Sequence, residues 1–86
     1  MEAVLLDVIT SAIRSVATRT QATVITADTR LVEDLALDSL DLVGVLMKME
    51  DHFDIKIDLD EVGNIRDVAD LAAQVETLRG GKSAAA

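Results

Sequence analysis

Apolar residues recur at three- and four-residue steps in the first stretch of the chain: Leu5, Val8, Ile9, Ala12, Ile13 and Val16. That spacing puts all six on one face and predicts an amphipathic helix over about 2–17. Residues 18–38 break the rhythm. Thr and Asp are frequent there, and their side chains compete for the backbone bonds a helix needs. A long loop is expected, pinned to the core by Val24, Ile25, Leu31, Val32 and Leu35, with a single helical turn over 30–35.

The rhythm returns at Ser39 and predicts a second helix to about Phe53, capped by Asp38 or Ser39. Leu42, Val45, Leu46, Met49 and Phe53 fall on one side and are assigned to the core. Leu40, Val43 and Met47 form an adjacent strip, wider than one core contact needs, which suits docking. A short helix is expected near 58–62, where Asp58 and Glu61 fit a capping pattern. A final helix is expected from Asn64 or Ile65 to about Arg79, with Asn64 as cap and Val68, Leu71, Ala72, Val75 and Leu78 as its buried stripe. Gly80-Gly81 should end it, leaving 80–86 as a flexible tail beyond a domain spanning 1–79.

The composition sharpens this picture. The 86 residues suffice for one small core, and half of them are apolar. Phe53 is the lone aromatic residue, and there is no Pro, so the core is built from aliphatic residues on packed helices. The net charge of −8 is not spread evenly. Residues 28–61 hold eleven acids against three bases, whereas the remainder is balanced. An acidic field of this kind repels nucleic acid and anionic membranes and draws basic protein surfaces. Residues 1–2 are Met-Glu, and no sustained apolar run follows, so neither a signal peptide nor a transmembrane span is expected, and the cytoplasm is the default location.

Candidate chemistry centres on Asp38-Ser39-Leu40, at the predicted start of the second helix. As a nucleophile, Ser39 would need a base within hydrogen-bond reach. His52 is the single histidine, thirteen residues along the same helix and roughly 20 Å away at the helical rise. A hydrolase is therefore disfavoured, and no catalytic residue is assigned. Two readings remain: a plain helix cap, or a serine esterified to a phosphate group that the helix start would stabilise. The chain has no cysteine, which excludes disulfides, thiolate metal sites and thiol chemistry by the polypeptide itself. The acids after Phe53 do not follow the calcium-loop pattern, since Lys56 and Leu59 stand at its third and sixth positions. No metal is expected.

The run from Asp28 to Val43, continuing through Met49-Glu50-Asp51-His52-Phe53, resembles an acyl carrier protein. The similarity spans nearly the whole chain, with the Asp-Ser-Leu triplet, the preceding Leu31-Val32-Glu33-Asp34-Leu35 and Phe53 all in register. The resemblance implies an all-α, small four-helix bundle of three longer helices and one short one, with a long first loop. It implies 4′-phosphopantetheine on Ser39, added by a phosphopantetheinyl transferase. It also implies that Asp38, Asp41, Glu50 and Asp51, with Leu40, Val43 and Met47, meet partner enzymes. Those partners would be acyl-transferring, condensing or acyl-activating enzymes of fatty acid, lipid or polyketide synthesis with basic docking patches. An acyl chain would shelter near Val45, Leu46, Met49 and Ile65, and the carrier would be a monomer.

The chain departs from the family pattern at several positions. Ala36 stands where Gly is frequent, Gly44 where an acid is usual, Lys48 and His52 interrupt the acidic face, and a Pro near Asp58 is missing. These departures suggest a specialised carrier, with Gly44 removing one docking charge. An aminoacyl or peptidyl carrier is the nearest alternative, but Leu37-Asp38 stands where such carriers usually show Gly-Gly. An unmodified acidic helical binding module is the alternative of a different class.

Overall fold

The computed structural model describes residues 3–21 and 23–85, with side chains through Arg79. It is all-helical: α1 (Ala3–Val16), α2 (Ser39–Phe53) and α3 (Val68–Ala85), with 3₁₀ segments at Thr18–Thr20 and Leu59–Asn64. The second of these is the expected short helix. The first was not anticipated. Glu2, placed in the first helix by its periodicity, lies outside the described residues. No strand occurs among the described residues, and one isolated antiparallel bridge joins Arg30 to Asp67.

α1 packs against both other helices through Leu5, Ile9, Ala12 and Ile13. α2 contributes Val45, Leu46 and Met49, and α3 contributes Val68, Leu71, Ala72 and Val75. Each fully buried Leu, Ile or Val contributes about 1.5–3 kcal/mol over an exposed one. Val8, Val16, Leu42, Phe53 and Leu78, also assigned to the core, are half-buried against its rim. Phe53 is covered from α3 by the Arg79 guanidinium, 4.7 Å from the ring centroid, and His52 meets it edge-on.

Not all of the expected loop pins hold. Ile25, Leu31 and Leu35 are buried, but Val24 and Val32 are exposed. The cause is local geometry. Around Ile25 the chain alternates out-in-out, and in the turn over 31–35 the inward positions are four apart, so Val32 faces water. Leu37, Ile55 and Ile57 complete the core from connections, the last two alternating with exposed Lys56 and Asp58.

The expected turn over 30–35 forms, with the Asp34 and Leu35 amides donating to the Arg30 carbonyl at 3.1 and 3.2 Å. Asp34 reinforces it by accepting from the Arg30 amide at 2.8 Å and from its guanidinium at 3.0 Å. These bonds hold the Asp34 carboxyl below the usual carboxylate range. The turn ends on Ala36, whose φ of 55° is left-handed. A Cβ is crowded there, which is why glycine suits this position.

α3 starts later than expected. Asn64 is not its cap, because Asn64 belongs to the 3₁₀ segment and donates to Glu61 at 3.0 Å. Asp67 caps instead, accepting the Asp70 amide at 2.8 Å, while Asp70 accepts the Asp67 amide at 3.4 Å. The loop carbonyls of Thr29 and Ala27 take the Val68 and Ala69 amides at 3.0 and 2.9 Å. At its other end, α3 continues through Gly80-Gly81 to Ala85, past the expected stop. A helix passes a glycine that keeps right-handed dihedrals, at about 1 kcal/mol relative to alanine.

Three outcomes follow from this architecture. Ala36→Gly should raise unfolding free energy in urea by about 1 kcal/mol, by relieving the left-handed Cβ. Asp67→Ala should cost about 1 kcal/mol, and Asn64→Ala less than half as much, if Asp67 is the cap of α3. The depressed Asp34 pKa means that its pairing stabilises the fold above the unfolded carboxyl pKa of about 3.9. That stabilisation disappears as pH falls through the lower folded value. The difference in melting temperature between the parent protein and Asp34→Asn should therefore be constant from about pH 5 to 8 and close below about pH 4.

Candidate functional site

The start of α2 is built from the residues around Ser39. Asp38 has an extended backbone and accepts the Asp41 amide at 2.8 Å, while the Asp41 carboxylate accepts the Asp38 amide at 3.2 Å. The Leu42 amide closes onto the Asp38 carbonyl at 3.0 Å. Asp38, not Ser39, is therefore the cap, and the Ser39 hydroxyl is not needed to hold the helix. The amides of Ser39 and Leu40 find no protein acceptor among the described residues. Ser39 is exposed on the first residue of the helix. A phosphate ester on its hydroxyl would meet these two free donors at the positive end of the helix dipole. The residues present fit a covalently attached phosphopantetheine.

The turn that presents Ser39 is held from outside by Arg19, in the 3₁₀ segment after α1. Its Nη2 donates to the Ala36 carbonyl at 2.8 Å and to Asp41 Oδ2 at 3.0 Å. The hydrogen bond from Arg19, joined by that from the Asp38 amide, holds the Asp41 carboxyl below the usual carboxylate range.

The predicted partner-facing residues do not share one environment. Leu40 and Met47 are 79% and 59% exposed, and Val43 beside them is half-buried. Asp38 and Asp51 are exposed acids. Asp41 is paired with Arg19, and half-buried Glu50 accepts the Ile57 amide at 2.9 Å, tying the following connection to α2. Gly44 faces α1: a Cβ built there would stand 3.2 and 3.3 Å from the two methyl carbons of Val16. The glycine thus serves a close helix approach, which the expectation of a missing docking charge did not include. Lys48 and His52 line a groove of about 590 Å³ between α1 and α2, with Asp7, Ser11 and Met49 among its other walls. Val45, Leu46, Met49 and Ile65, expected near an acyl chain, all belong to the buried core, and Met49 also borders this groove.

Sequence reasoning missed Arg19 and the internal role of Glu50. Arg19 acts on residues 17 and 22 positions away, which no local pattern signals. The departure at Ala36 was the available hint of a constrained turn.

Comparison with known proteins bears on this site. A family model described as a phosphopantetheine attachment site matches residues 7–75. The acyl carrier protein of Akkermansia muciniphila is 41% identical over 56 residues, covering 65% of this chain and 70% of that protein. That of Thermotoga maritima is 36% identical over 56 residues, covering 65% and 69%. Among solved structures, one from Mycobacterium tuberculosis described as an acyl carrier protein superposes with a TM-score of 0.76 at 36% identity, covering 85% of this chain and 96% of that one. The chain belongs to the acyl carrier protein family, whose members are carriers rather than enzymes and hold 4′-phosphopantetheine covalently.

Proposed function

We propose that Ser39 bears the 4′-phosphopantetheine and that the chain carries acyl intermediates as thioesters for fatty acid, lipid or polyketide synthesis. The observation that carries this reading is the exposed Ser39 hydroxyl beside two unclaimed helix-start amides. When bound, the group supplies the thiol that this cysteine-free polypeptide lacks. The chain's own residues do the rest. The Ser39 and Leu40 amides offset the charge of the ester, and Asp38 keeps the turn closed. Leu40, Val43 and Met47 offer an apolar strip to a partner, and Asp38 and Asp51 steer basic surfaces towards it. Asp41 and Glu50 join them in the same acidic field, although each also holds the fold. The carrier domain spans 1–79 and acts in the cytoplasm. Lys48, His52 and Gly44 on α2 fit a specialised carrier rather than a housekeeping one.

Intact-mass measurement after incubation with coenzyme A and a broad-specificity phosphopantetheinyl transferase tests the assignment. The parent protein should gain one phosphopantetheine, and Ser39→Ala none. Because Asp38 is the cap, Ser39→Ala should stay within about 0.5 kcal/mol of the parent stability, so loss of modification cannot come from unfolding. Equal mass gain in Ser39→Ala would remove Ser39 as the site.

A further inference from the structure

We propose that Arg19 is a positioning residue for the modification of Ser39, holding the turn that presents this serine to the transferase. The inference rests on the reading of Ser39 as the attachment site. A single guanidinium nitrogen binds on both sides of Ser39, at the carbonyl three residues before it and the carboxylate two residues after. The first partner, Ala36, sits in a left-handed conformation that its own Cβ opposes. The second, Asp41 Oδ2, also receives the Asp38 amide and closes the capping box. The base of the clasp is firm: Ala17 and Thr20, on either side of Arg19, are buried, and Thr20 Oγ1 donates to the Ala17 carbonyl at 2.7 Å. Without the guanidinium, Ala36 is freed to leave the left-handed region, and the Ser39 turn samples conformations the enzyme does not accept.

Such a loss has a distinctive kinetic sign. If only a fraction of molecules presents Ser39 correctly, apparent affinity falls by that fraction while turnover of the bound complex is unchanged. A charge effect runs the other way, because removing Arg19 makes the region more acidic and strengthens attraction to a basic enzyme. A role in global stability alone moves neither constant at a temperature where the variant is folded.

The test is steady-state transfer from coenzyme A to the full chain by a phosphopantetheinyl transferase, below the melting point of every variant. Arg19→Gln should raise KM for the carrier about five- to tenfold with kcat within about twofold. Arg19→Lys, which keeps a charged donor, should lie closer to the parent. Lys56→Gln, with the same charge change on an exposed residue elsewhere, should not raise KM. Arg19→Met, which keeps the aliphatic stem, carries the same expectation if Arg19→Gln does not fold. An unchanged or lowered KM, a fall in kcat alone, or an equal rise in Lys56→Gln overturns the inference while Ser39 is still modified in the parent. Absence of modification at Ser39 in the parent overturns the underlying reading instead.

Discussion

The first amides of a helix need acceptors that the helix itself does not provide, and the two helices after the long connections resolve this in opposite ways. α3 is fully supplied: loop carbonyls take its first two amides, and Asp67 takes the next pair through its carboxylate and carbonyl. That closure fastens the loop to the bundle and brings Arg30 alongside Asp67. α2 is supplied only in part. Asp38 serves Asp41 and Leu42, and the amides of Ser39 and Leu40 have no protein acceptor among the described residues. One helix start is a structural joint and the other is left partly open.

The same economy governs the acids. A run of acidic residues reads as a solvated face, and much of it is exposed. Yet Asp34, Asp41, Glu50, Asp67 and Asp70 each accept backbone amides. Without Pro and with few Gly, the connections depend on carboxylates to satisfy turn amides. The acids that shape the connections lie both within the acidic 28–61 segment and beyond it, at Asp67 and Asp70, and Arg19 binds one of them, Asp41.

Where the chain is periodic, its structure was legible in advance. α2 runs from Ser39 to Phe53 as its apolar spacing implies, and the inner faces of α1 and α3 follow theirs. Ser39 stood out because the triplet and its setting are contiguous. The connections were harder. Ile55 and Ile57 are core residues in a two-residue alternation too short to register, and Val24 and Val32 look equally apolar but face water. The start of α3 was misplaced because Asn64 and Asp67 are both good caps, and the choice is made by loop carbonyls far away in sequence. Arg19 was illegible for the same reason: its partners are defined only once the loop has folded.

The close approach of Gly44 to Val16 couples two positions that are 28 apart in sequence. Their side-chain volumes trade against each other across the α1–α2 crossing. A larger residue at 44 calls for a smaller one at 16, or for α1 to tilt away. The contact lies next to Val43 in α2, so the volume at this half-buried pair sets how far α1 stands from the face that carries exposed Leu40 and Met47. The outline of that face can therefore shift through substitutions at half-buried positions that leave every exposed residue unchanged.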